Sequence, residues 1–378
     1  MKKIGYWIFG ILFHFFRIFP VKNKKVVLFM VHDCKFQGNI RYVYEEMKRR
    51  QEGFQFVILS KRNILTPTGT GIKKVVSKIK GALQFFVGIS YHFATAEYVF
   101  LNDNFLPLAY MNPSKKTKIV QLWHGVGAFK RFGLTTEGDE LVRKCVKKGN
   151  QKVTHLFVSS SKVIPCYEDA LAIKKERIFP TGIPLTDFYF DEAAKKKAGN
   201  AVYENYPELK GKKILLYAPT FRETSQQNKD IFKYFSMEKV MEQLGEDWCI
   251  LVRLHPHVRE AMPKLPKGCY DMTEYSDIKG LFVVSDLLVA DYSSVVVEYV
   301  LLGKPILLYA YDLEQYDRGF YGPYEEEAPG MLLRSEEEFL EALTKPFKMV
   351  HFDKFIEKQY DGILDGQSTK RVVDRVVG

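Results

Sequence analysis

Apolar runs in this sequence end repeatedly in residues that can move a proton or hold an anion. The run at 118–122 leads into Trp123-His-Gly-Val-Gly-Ala-Phe-Lys-Arg131. An imidazole titrates near neutrality and can act as a general base. Gly125 and Gly127 give close backbone access beside His124, and Lys130 and Arg131 bring positive charge to the same turn. Those cations are expected to depress the His124 pKa and keep the ring neutral. A hydrogen-bonded structural histidine is the alternative, and the company His124 keeps favours chemistry. Further along, the run from Ile214 ends in Thr220 and Arg222, the run from Trp248 in Arg253 and His255, and the run from Leu287 in Asp291, Ser293 and Ser294. Arginine and hydroxyl side chains suit phosphate. Ser293 and Ser294 stand where a helix begins, which fits either an anion site or a plain N-cap. His255-Pro-His257 has a metal-binding look, but no acidic or cysteine ligand accompanies it at a metal-site spacing. No metal and no cofactor is therefore expected.

Residues at strand ends need a sheet whose strands all finish on one edge, and open α/β sheets provide it. Strands are expected at 26–31, 54–59, 98–101, 118–122 and 155–160, and again at 214–218, 248–253, 287–290 and 306–309. Helices are expected near 40–50 and 72–89, and Val295, Val296, Tyr299, Val300 and Leu302 recur at helical spacing up to Gly303. Residues 191–211 are polar and read as a linker. A chain of 378 residues exceeds one ordinary core. The expected fold is α/β, with two doubly wound Rossmann-type domains facing a central cleft. Residues 23–195 would form the acceptor-side domain with His124, 205–350 the donor domain, and 351–378 a C-terminal helical segment.

Residues 1–22 are apolar and aromatic with Lys2, Lys3 and Arg17, too short a run to span a bilayer comfortably. They suit an amphipathic helix lying in a membrane surface; a helix packed on the protein's own core is the alternative. The apolar face of 72–89 leaves the same pair of readings, membrane-facing or solvated. A net charge of +11 calls for an anionic partner. Dispersed lysines and the lack of zinc-finger or RNA-binding signatures point away from nucleic acid and towards an anionic membrane or a phosphorylated substrate. Five scattered cysteines without a Cys-x-x-Cys pair indicate no disulfide framework.

Five motifs occur together and in order: Gln121-Leu-Trp-His-Gly125 with Lys130, Ala218-Pro-Thr-Phe-Arg222, Arg253-Leu-His-Pro256, Ala290-Asp-Tyr-Ser-Ser294 and Arg318-Gly-Phe-Tyr321. Together they resemble the CDP-glycerol glycerophosphotransferase family of teichoic acid primases and polymerases. The resemblance implies a GT-B-like fold and peripheral attachment to the cytoplasmic face of the cell membrane. It implies transfer of glycerol phosphate or ribitol phosphate from CDP-glycerol or CDP-ribitol to an undecaprenyl-diphosphate-linked saccharide acceptor, with CMP released. It leaves an oligomer open. His124 is then the base, His255, Arg222 and Arg253 hold the diphosphate, and Thr220, Ser293 and Ser294 add neutral donors. Asp291 or Glu298 would bind ribose or orient a donor; Gly125, Lys130 and Arg318 complete the expected substrate site. The family often reads Trp-His-Gly-Thr-Pro-Leu-Lys, whereas here Lys130 comes one residue later, which bears on the acceptor and the alditol. A GT-B glycosyltransferase using a nucleotide sugar, or a catalytically silent membrane scaffold, are the rival readings.

Overall fold

Among the described residues, twelve strands form two six-stranded sheets. The computed structural model describes residues 2–316 and 319–378, with the side chains of Lys2, Pro256 and His257 outside the description. The chain divides into two compact units, 1–187 with 359–378, and 188–358. The first holds strands β1 (Lys22–Met30), β2 (Gln55–Ser60), β3 (Ala96–Leu101), β4 (Lys118–Gln121), β5 (His155–Val158) and β6 (Ile178–Pro180) in the order β2-β1-β3-β4-β5-β6. The second holds β7 (Lys213–Tyr217), β8 (Trp248–Val252), β9 (Cys269–Asp271), β10 (Leu287–Ala290), β11 (Ile306–Tyr309) and β12 (Met331–Leu333) in the order β12-β11-β10-β7-β8-β9. Within these two sheets every described pairing is parallel.

Continuous Val, Ile, Leu and Phe runs make the inner strands of each sheet two-sided. Residues 26–30 of β1 and all of β10 and β11 are buried, as parallel sheets covered on both faces require. The strand orders decide where chemistry can sit. In the first unit, order reverses between β1 and β3, and in the second between β7 and β10. At such a switch point the two neighbouring crossovers leave in opposite directions and open a crevice at the carboxyl ends.

Three segments depart from the sequence expectation. The stretch read as a polar linker contains the helix Glu192–Asn205. Its Ala198, Gly199 and Val202 are buried, and Gly280 of the helix Ile278–Val284 comes so near that an added Cβ would lie 3.1 Å from Ala198 O and from Val202 Cγ2. A thin stripe of small residues carries that packing, so composition alone read it as solvated. The C-terminal segment does not form one piece, because 359–378 belongs to the first unit. There Val372, Val373 and Val376 join the core beside Val26, Ile40 and Val120. Asp187 ties the segment down by accepting from the backbone N–H groups of Ser368 (2.9 Å) and Thr369 (2.8 Å). The third concerns the helix Lys2–Phe16, which packs one stripe on the first unit. Phe9 and Phe13 are fully buried, and a Cβ on Gly10 would lie 2.7 Å from Tyr110 O. Ile4, Trp7, Ile11 and Phe15 remain exposed on the other side. The alternative of a helix packed on the protein's own core accounts for the buried stripe of this helix.

Candidate active site

In the first unit the strand ends converge on one carboxylate. Asp103 follows β3, and its Oδ2 lies 3.4 Å from Nδ1 of His124, which follows β4, and 3.7 Å from Nε2 of His32, which follows β1. The acid is 21% exposed and the two imidazoles 57% and 65%, so an anion sits behind two accessible rings. The backbone N–H of Asn104 donates to Asp103 Oδ1 at 2.6 Å, and Gln121 Nε2 donates to its carbonyl at 3.2 Å. Asn102 bridges β3 to β1: its Oδ1 accepts from Val31 N at 3.0 Å, and its Nδ2 donates to Asp33 Oδ2 at 2.5 Å.

Burial works against an imidazolium at His124, but hydrogen bonding to Asp103, the charges of Asp103 and Asp33, and the backbone at Asn102 outweigh it, so the His124 pKa is raised from 6.5. Burial likewise opposes the Asp103 carboxylate, and His124, the Asn104 N–H and His32 overcome it, so its pKa is lowered. This corrects the expectation that Lys130 and Arg131 hold His124 neutral by depressing its pKa, because the nearby carboxylates dominate. Gly125 lies against the Trp123 ring, and Lys130 is half-buried one turn on.

In the second unit the strand ends are locked around Arg222, which is 8% exposed. Its Nε and Nη2 donate to both oxygens of Asp312 (2.7 and 2.9 Å), while Nη1 donates to Asp291 Oδ2 (2.9 Å) and to Thr220 O (2.6 Å). Four of the five guanidinium donors are thereby committed. The expectation that Arg222 presents its charge directly to a diphosphate is corrected by that engagement. Asp291, 3% exposed, also accepts from Thr220 N at 2.7 Å, so it is an internal linchpin and no free ribose ligand. Asn228 holds the same turn, accepting from Arg222 N at 2.6 Å and donating to Arg222 O at 2.8 Å. Tyr292 donates to Asp312 Oδ1 at 2.9 Å.

Around this buried layer the other expected residues differ in availability. His255 is exposed with its ring 5.0 Å from Phe221, Ser294 is exposed, and Ser293 is half-exposed. Ser294 occupies the N-cap of Val295–Tyr299 without a side-chain capping bond, so the plain-cap reading does not account for its hydroxyl. Thr220 Oγ1 is buried without a hydrogen-bond partner among the described residues. Arg253 donates to the carbonyls of Met272 (3.1 Å) and Tyr275 (2.5 Å), which makes it largely a clamp on its own loop. Glu298 accepts from Tyr189 OH at 2.9 Å. Arg318 lies outside the described residues. The structure therefore brings Thr220, Arg222 and Asp291 into one network, and it adds Asp33, Asn102, Asp103, Asp312 and Asn228, none of which the sequence reading placed in a site. The signal for Asp103 was present: Asn102-Asp-Asn104 ends a buried strand in the same way that His124 does.

Removing Arg222 strands one buried carboxylate, Asp291, and one partly buried one, Asp312. Arg222→Ala should destabilise the second unit by about 3–5 kcal/mol, the range for breaking a buried ion pair. Denaturant unfolding followed by tryptophan fluorescence measures it; an unchanged midpoint would show the network to be dispensable.

The chain is 32% identical to the teichoic acid poly(ribitol-phosphate) polymerase of Bacillus spizizenii, across 100% of this chain and 60% of that protein, so it spans about 60% of that relative's length. It is 30% identical to the teichoic acid ribitol-phosphate primase of the same organism, across 94% of this chain and 92% of that one. A solved structure of the wall teichoic acid polymerase TagF shares the fold, with a TM-score of 0.78 and 22% identity over 98% of this chain and 93% of that one. The α/β, GT-B-like class read from the sequence agrees with that likeness. Residues 11–378 match the model of the CDP-Glycerol:Poly(glycerophosphate) glycerophosphotransferase family, and the chain belongs to that family.

Proposed function

We propose that this chain transfers an alditol phosphate from CDP-glycerol or CDP-ribitol to a hydroxyl of a teichoic acid acceptor built on undecaprenyl diphosphate. The carrying observation is an accessible His124 ring on a shielded, ionised Asp103 at a switch point, in a chain of this family. The acceptor oxygen attacks the β-phosphorus, a P–O bond forms, and the bond to the bridging oxygen breaks so that CMP leaves. The acceptor's proton passes to His124. The remaining work is positioning and charge stabilisation around the phosphoryl oxygens. His255, Ser293 and Ser294 contact the diphosphate, while Arg222 acts from behind by fixing Thr220 and Asp291. Both alditols are named among the relatives, as ribitol-phosphate and glycerol-phosphate enzymes.

We also infer that the first unit rests peripherally on the cytoplasmic face of an anionic membrane. No described helix is long and apolar enough to cross one. Trp7 and Ile11 are 59% and 48% exposed, and on the helix Gly71–Leu83 Ile72 and Ile79 are 83% and 57% exposed. Exposed Lys73, Lys74, Lys78 and Lys80 accompany them. Apolar side chains flanked by lysines suit the boundary between headgroups and acyl chains. Deleting 1–22 would also remove buried Phe9 and Phe13, so surface changes are the cleaner probe. Trp7→Glu with Ile11→Glu should move the protein from pellet to supernatant on sedimentation with anionic vesicles. Undiminished co-sedimentation would refute the docking face.

For the chemistry, His124→Ala should lower kcat by about 10²–10⁴, the usual contribution of a positioned base. Calorimetric binding of CDP-glycerol should persist. Near-normal CMP release at saturating acceptor would place the base elsewhere, and loss of donor binding would make His124 a phosphate ligand.

A further inference from the structure

We propose that Asp103 is a positioning residue for the transfer: it holds His124 with Nδ1–H turned to the carboxylate, so that Nε2 is the atom that takes the acceptor's proton. This rests on the reading of His124 as the base. An imidazole offers two chemically similar nitrogens, and a neutral ring exchanges its proton between them. A fixed anion at one nitrogen selects the tautomer in which that nitrogen is the donor. Here the anion is at Nδ1, 3.4 Å away.

Asp103 is itself held in place. Its Oδ1 accepts the Asn104 N–H, its carbonyl accepts from Gln121, and the neighbouring Asn102 is bonded to both Val31 and Asp33. Gln121 also reaches the histidine turn, because its Oε1 accepts from Trp123 N at 3.0 Å. One side chain thus ties the carboxylate's strand to the imidazole's strand. Charged groups among the described residues act on the pair from two further strand ends. Asp33 and His32 come from the end of β1, and half-buried Lys61, which feels the charge of Asp103, opens the segment after β2. His32 reaches the same Oδ2 from farther away and is the more exposed ring. The carboxylate therefore serves His124 first.

The consequence for pH has a definite sign. An anion beside His124 stabilises the imidazolium, and the base works only when neutral, so kcat should rise with pH through a pKa above 6.5. Taking the anion away lowers that pKa and moves the rising limb to lower pH, while the plateau falls because the tautomer is no longer selected. A residue that only supported the fold would cost plateau or stability and leave the limb in place.

The test compares the native chain with Asp103→Asn and Asp103→Glu. The expected result for Asp103→Asn is a limb at lower pH, a plateau lower by about tenfold or more, and an unchanged Kd for CDP-glycerol. Asp103→Glu, which keeps the charge, should hold the limb nearer its native position. Histidine 15N NMR of the native chain should show His124 protonated at Nδ1 when neutral, with its pKa falling in Asp103→Asn. A limb that stays put in Asp103→Asn overturns the proposal, as does a native neutral ring protonated at Nε2. The native NMR spectrum decides the matter even if Asp103→Asn does not fold. If His124→Ala keeps full kcat, the base reading fails, yet the NMR tautomer and pKa still report whether Asp103 governs the ring.

Discussion

One buried guanidinium fixes the loop layer of the second unit. Arg222 joins the carboxyl ends of three adjacent strands, its own after β7, Asp291 after β10 and Asp312 after β11. Removing such charges from water costs several kcal/mol per ion, and their attraction offsets this only when geometry is good and the remaining polar atoms are satisfied. Both conditions hold: Asp312 takes two nearly parallel N–H bonds, and Asp291 spends its other oxygen on the Thr220 N–H. The gain is register. Three turns that follow independent strands cannot shift without stranding a charge, so the exposed Ser294 is displayed from a fixed floor.

The first unit meets the same topological situation with the opposite sign. Its shielded charge is an anion, Asp103, and its partners are titratable rings in place of a permanent cation. A guanidinium stays protonated at any working pH and makes a rigid pin. An imidazole over a carboxylate keeps a choice of protonation states, and the carboxylate biases that choice. A pin suits holding a substrate whose charge does not change, whereas a biased ring suits accepting a proton.

Much of the fold was legible because parallel strands here are short, apolar and bounded by polar residues, a pattern that needs no partner to be recognised. His124, Thr220, Arg222 and Asp291 were legible for the same reason, since each directly follows such a run. What was not legible depends on adjacency in the sheet. Asp103 precedes His124 by 21 positions in the sequence, and only the pairing of β3 with β4 makes them neighbours. Arg222 looked like a free phosphate ligand because Asp312 lies 90 residues away. Helix faces show a related limit. Periodicity found the apolar stripe of 72–89 but could not say that Ile72, Val75, Val76, Ile79 and Leu83 face outward, because a stripe reads the same whether core or another phase covers it.

The turn that carries His124 shows how local strain is held. Trp123 has a φ of 54°, in the left-handed region that a bulky residue rarely enters. Such a conformation costs on the order of 1–3 kcal/mol and persists only when its surroundings over-determine it. Buried Asn39 supplies part of that, donating to the carbonyls of Leu122 (3.2 Å) and Trp123 (3.0 Å) while accepting from Leu185 N at 2.9 Å. Gln121 holds the Trp123 N–H, and the indole packs 5.4 Å from Phe132 and 4.5 Å from the His124 ring. An extended residue at 123 would continue the pleat of β4 and send the next side chain on along the strand. The left-handed turn instead breaks the alternation and swings His124 sideways, across the edge of the sheet towards the end of β3, where Asp103 waits. The strained turn thus accompanies the pairing of His124 with Asp103, and Asn39 and Gln121 hold that turn through its backbone.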